Sequence, residues 1–76
     1  MHTKEDFIQQ IKENEGIIYK VARLYTNTIE DQKDVYQEIV YQLWKSYPSF
    51  KADSKISTWM YRVALNTAIN NLKKEK

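Results

Sequence analysis

The chain predicts an all-α fold, a compact bundle of three to four helices. Three observations carry this. The 76 residues contain one glycine and one proline, which leaves few sharp turns and favours long helices over a multi-stranded sheet. Apolar residues recur at helical spacing along nearly the whole chain, with no strand alternation, internal repeat or low-complexity segment. The length allows one domain, residues 1–76, and a content of 42% hydrophobic and 13% aromatic residues supplies its core.

Thr3 with Asp6 resembles a capping box, and Phe7, Ile8 and Ile11 then follow at helical spacing. Asn14-Glu15-Gly16 weakens the pattern, so a break or kink is expected there. Ile17, Ile18, Val21, Ala22, Leu24 and Tyr25 resume the periodicity until Asn27-Thr28, where Thr28 with Asp31 is a candidate cap. The next helix should run from about Glu30 to Tyr47 and stop at Pro48, which lacks a backbone donor and restricts its neighbour.

Counted at about 100° per residue, Tyr36, Ile39, Val40, Leu43, Trp44 and Tyr47 share one broad face of that helix. Asp34, Gln37, Glu38, Tyr41 and Lys45 share the opposite one. Ser49 to Ser54 reads as a polar loop holding Phe50. Ser54 or Asp53 then caps a last helix from about Lys55 to Lys74. Met60, Tyr61, Ala64, Leu65, Ala68 and Leu72 are its core candidates, and Arg62, Asn66, Asn70 and Lys73 form a polar stripe. Trp59 falls inside that stripe. It either packs on the preceding loop or offers a stacking surface for a base.

The formal net charge of +2 hides an asymmetry. Residues 1–44 carry five basic and eight acidic side chains, and residues 45–76 carry seven and two. The basic half is the candidate for phosphate contact, unless both halves are simply solvated faces. An enzymatic reading fails on inventory. The one histidine is His2, there is no cysteine, and a single glycine excludes a glycine-rich phosphate loop. Asp34 and Glu38, one turn apart, have no second acidic pair nearby in sequence, so no metal or other cofactor is expected. The polar, acidic N-terminus is no signal peptide, and no apolar run approaches the roughly 18 residues of a membrane span.

Two segments resemble region 2 of the sigma-70 family of RNA polymerase sigma factors, in its extracytoplasmic-function group. The first is the run from Asp34 through Gln37-Glu38 to the aromatic end at Trp44. The second runs from Phe50 through Thr58-Trp59 and Tyr61-Arg62 to Ala64, Asn66 and Ile69. The resemblance implies a bacterial, cytoplasmic transcription initiation domain with two partners, the polymerase core and promoter DNA. Asp34, Gln37 and Glu38 match positions that dock on a coiled coil of the β′ subunit, with Tyr41 beside them. The angular count independently puts all four on the solvent side.

The second segment matches the part that opens the −10 element and reads its non-template strand. Phe50 and Val63 match apolar positions around a pocket for a flipped base, whereas Phe50 read alone can equally be a lid folded onto the core. Trp59 matches a tryptophan near the upstream edge of the melted segment. Asn66 matches a promoter-reading position, and Asn70 lies one turn further on. An asparagine amide both donates and accepts, which suits it to a base edge. Lys51, Lys55, Arg62, Lys73 and Lys74 would hold phosphates.

There are departures. Lys51-Ala52 stands where the family often has Arg-Gly, and the chain ends at Lys76, where a linker and a −35-binding domain would follow, so an excised domain is expected rather than the alternative of a natural truncation. An anti-sigma protein is a further partner by analogy alone. Two rivals stand beside this reading. A helix-turn-helix regulator of duplex DNA would want a shorter, often glycine-containing turn than the Pro-and-polar loop here. A helical adaptor would bind proteins only, its lysines merely solubilising.

Overall fold

The computed structural model describes residues 4–50 and 55–74, with side-chain surroundings as far as Leu72. Three long helices account for most of it: α1 over Lys4–Leu24, α2 over Ile29–Ser46 and α3 over Ile56–Lys74. A single 3-10 turn over Tyr47–Ser49 follows α2. Each helix packs on the other two.

α1 is one helix with a kink where the sequence weakens. Asn14 leaves helical geometry, at φ −120° and ψ 15°. Its side-chain Nδ2 donates to the Gln10 carbonyl at 2.9 Å, so the bend keeps that acceptor satisfied. At the far end the Thr26 hydroxyl donates to the Ala22 carbonyl at 2.7 Å. Such bonds supply the partners that a helix end otherwise lacks.

Thr28 starts α2 as expected. Its backbone is extended, and its hydroxyl oxygen accepts from the Asp31 N–H at 3.0 Å. Pro48 sits in the first turn of the 3-10 segment, where its missing donor costs nothing, and the Phe50 N–H donates to the Tyr47 carbonyl to close that turn. The proposed caps Thr3, Asp53 and Ser54 lie outside the described residues. The Lys55 carbonyl accepts the first bonds of α3, from the Thr58 and Trp59 amides.

The core joins Phe7, Ile18, Val21 and Ala22 of α1 to Val35, Ile39 and Leu43 of α2. Tyr47 and, from α3, Met60, Ala64 and Ala68 complete it. Ile18, Ile39, Leu43 and Met60 are fully buried, and burial of each contributes roughly 1.5–3 kcal/mol. The expected core of α3 needs correction. Tyr61 and Leu72 are exposed and Leu65 is only half-buried. The buried stripe instead runs through Met60, Ala64, Thr67 and Ala68. It is centred between Met60 and Ala64, which leaves Tyr61, Leu65 and Leu72 about 75–115° around the helix. Met60, Ala64 and Ala68 are buried as expected, and Thr67, a small polar residue outside the expected core, joins them. Trp44 on α2 is likewise an edge residue, 45% exposed, whereas Val35 is the buried one.

Candidate functional site

α2 carries the proposed docking residues on a crest between two grooves. Asp34, Gln37 and Tyr41 are exposed. Towards α1, Gln37 and Tyr41 line an apolar groove of about 340 Å³ floored by Phe7, Val40 and Trp44. Towards α3, Glu38 is half-buried, and its carboxylate Oε2 accepts from Gln42 Nε2 at 3.0 Å. The four residues therefore straddle the crest rather than forming one flat patch.

The second groove, about 450 Å³, lies between α2 and α3. Glu38 and Gln42 form its α2 wall, and Val63, Asn66, Thr67, Asn70 and Asn71 form its α3 wall. Asn66 and Asn70 are exposed at the rim, and Val63 packs partly on the core. Thr67, only 8% exposed, donates its hydroxyl to the Val63 carbonyl at 2.7 Å, which fixes the rotor. Glu38, which the resemblance matches to a docking position, shares this groove with Val63, Asn66 and Asn70, which it matches to strand-binding positions. The two sets of residues adjoin because α2 and α3 pack directly on each other.

Trp59 begins the same edge of α3 that continues through Val63, Asn66 and Asn70. It packs back on Phe50, with ring centroids 4.9 Å apart, and lies 6.1 Å from Tyr47. Tyr47 in turn meets Phe50 at 6.4 Å and Phe7 at 5.1 Å. Phe50 is thus a lid against the core and Trp59 packs on the loop, the plainer of the two readings for each. Both remain half-buried, so part of each ring faces outward. Lys55 and Arg62 are exposed. Lys51 and the side chains of Lys73 and Lys74 fall outside the described residues.

Two phenols are perturbed. Burial, helped by the neighbouring Tyr19 and Glu15, pushes the Tyr36 hydroxyl above its ordinary value. Burial, with the Asp6 carboxylate nearby, does the same for Tyr47. Both favour the neutral phenol. Among the described residues no group of three or more His, Cys, Asp or Glu side chains could hold a metal ion, and no helix is long and apolar enough to cross a membrane.

Gln42, Thr67 and Asn71 were given no site role from the sequence. Gln42 stands four residues after Glu38 on the same side of α2, the spacing at which helix side chains meet, and that signal would have found it. Thr67 and Asn71 carried no comparable mark, because their place in the groove depends on how α3 is rotated against α2.

The family model described as Sigma-70 region 2 matches residues 10–76. The ECF RNA polymerase sigma-E factor of Escherichia coli is 41% identical over 56 residues, covering 71% of this chain and 29% of that protein. The ECF RNA polymerase sigma factor SigM of Mycobacterium tuberculosis is 27% identical over 70 residues, covering 92% of this chain and 36% of its own length. A third relative, SigG of the same species, is 36% identical over 47 residues, 62% of this chain and 13% of that protein. The chain thus spans about a third or less of the curated relatives it matches. No solved structure gives a significant match. With the matched region reaching from α1 to the end of the chain, and with an all-helical bundle beneath it, the chain belongs to the sigma-70 region 2 family, in the extracytoplasmic-function group of sigma factors.

Proposed function

We propose that this domain serves transcription initiation by docking on the RNA polymerase core and binding the melted non-template strand of the −10 element. Docking uses the crest of α2, where Asp34, Gln37 and Tyr41 are exposed and Glu38 adjoins them. Carboxylates there pair with Arg or Lys of the β′ coiled coil, and Tyr41 and Trp44 add apolar area beside them. The strand follows the α3 edge from Trp59 through Val63 and Asn66 to Asn70, with Arg62 and Lys55, and by the family resemblance Lys51, Lys73 and Lys74, holding phosphates.

The observation that carries this reading is the continuity of that edge. An aromatic pair, Phe50 and Trp59, leads into a groove rimmed by two exposed carboxamides. Stacking on such a pair contributes roughly 1–3 kcal/mol per base, which offsets the few kcal/mol needed to unstack one. The resulting base reader is weak, and docking supplies the missing affinity through effective concentration.

The test is binding to a purified fragment of the β′ coiled coil, beside a Gln37→Ala/Glu38→Lys double variant. The wild-type domain should bind and the double variant should lose binding at least tenfold. Absence of binding by demonstrably folded wild-type domain would refute the docking role and favour a protein adaptor of another kind.

A further inference from the structure

We propose that Gln42 of α2 is a base-reading residue, and that it selects a base bearing an exocyclic amino group over thymine. The proposal rests on the strand-binding reading above and adds to it a contact from a helix otherwise assigned to docking. Gln42 is half-buried in the wall of the α2–α3 groove, across from Val63 and Asn66. Its Nε2 donates to Glu38 Oε2 at 3.0 Å. The opposite amide orientation would set carbonyl oxygen against carboxylate, so the charge on Glu38 fixes the amide. Gln42 Oε1 is thereby left to accept.

The hydroxyl hydrogen of Thr67 is committed to the Val63 carbonyl at 2.7 Å, so Thr67 too offers only lone pairs. The Glu38 carboxylate likewise offers lone pairs. The inner wall of the groove is therefore rich in acceptors, with the second Gln42 Nε2 hydrogen and the Asn71 carboxamide as its donors, whereas Asn66 and Asn70 at the rim both donate and accept. A volume of about 450 Å³ suits one ligand group of nucleobase size.

A base that enters such a wall must present donors. Adenine, cytosine and guanine each carry an amino group at the base edge, and a carboxylate or amide oxygen accepts from it. Thymine offers one donor, N3–H, flanked by two carbonyls, so it meets acceptors such as Gln42 Oε1 and the Glu38 carboxylate less favourably than an amino group with two N–H donors does. The rim asparagines hold any base, and the inner wall discriminates. Glu38 acts here as a positioning residue, holding the Gln42 amide without itself having to meet the base.

The experiment is a nuclear magnetic resonance titration of the isotope-labelled domain with a thymidine pentanucleotide and with variants carrying one A, C or G at each position in turn. Direct observation tolerates weak binding, and the spectrum reports that each variant is folded. At one position an amino-bearing base should bind about two- to tenfold more tightly than thymine, the worth of one or so hydrogen bonds. Its addition should shift the Gln42 side-chain amide resonances. Gln42→Ala should bring that ratio close to one by weakening the amino-bearing strand.

A ratio that survives in Gln42→Ala would overturn the role of Gln42 and leave strand binding standing. So would the absence of any position preferring an amino-bearing base. Failure of every strand to bind in a salt-dependent manner would overturn the strand-binding reading and this proposal with it.

Discussion

Phe7 is a demanding test of how the aromatic lid is supported. It lies in the second turn of α1, is 5% exposed, and meets Trp44 and Tyr47 with both centroid distances at 5.1 Å. Phe7→Ala removes a buried ring and both ring contacts. Phenylalanine-to-alanine changes in cores cost about 3–5 kcal/mol. Phe7 is close to the start of α1, where the first turn can fray and partly close the cavity, so the lower end, about 3 kcal/mol, applies here. A 76-residue domain has only about 4–11 kcal/mol of stability at the usual per-residue values, so the variant forfeits a quarter or more of it.

Tyr47 passes the effect on, because it joins Phe7 to Phe50 and Trp59. Urea unfolding followed by circular dichroism should show a lower midpoint with an unchanged slope, since the surface exposed on unfolding stays nearly constant. Tryptophan fluorescence of the native state should shift as Trp59 and Trp44 gain water. Phe7→Leu, which fills most of the space, should recover about half of the loss. A Phe7→Ala loss under about 1 kcal/mol would show that the ring is not part of the core and would remove the support argued for Phe50.

Two further predictions concern stability. Gly16 follows the kink in α1, has no positive φ, and an added Cβ there would meet nothing within 4 Å. Gly16→Ala should therefore stabilise by about 0.5–1 kcal/mol through helix propensity and reduced unfolded-state freedom, read as a higher urea midpoint; a lower midpoint would mean the kink needs the glycine. The raised pKa values of Tyr36 and Tyr47 predict alkaline sensitivity of a definite sign. The folded state holds these protons more tightly than the unfolded chain, so the contribution is fully present below about pH 10 and is lost as pH rises through the folded values. The urea midpoint should fall above pH 10, and a Tyr36→Phe/Tyr47→Phe variant should show a shallower fall; equal slopes would refute the assignment.

Much of this molecule was legible in the chain itself. The kink at Asn14, the Thr28 cap and the stop at Pro48 are local matters. Each follows from the chemistry of a few adjacent residues, with hydrogen bonds spanning three or four positions. The solvent side of α2 was equally readable, because Asp34, Gln37 and Tyr41 fall together on any helical count, and the sigma-70 region 2 signature sat in two contiguous segments.

The tertiary structure alone decided the rest. Rotation of α3 against its partners buries Ala64, Thr67 and Ala68 and turns Tyr61 and Leu72 outward against their hydrophobicity. The same rotation opened the groove that brings Glu38 and Gln42 to Val63, Asn66 and Asn70. Trp59 and Phe50 were ambiguous in the chain because either ring can face a base or a core. Their separation of 4.9 Å, with Tyr47 beside both, is a contact between segments that no local pattern encodes. Helical periodicity tells which residues share a side of one helix; which side meets which neighbour is a property of the close-packed interior, where the fit of volumes selects one rotation.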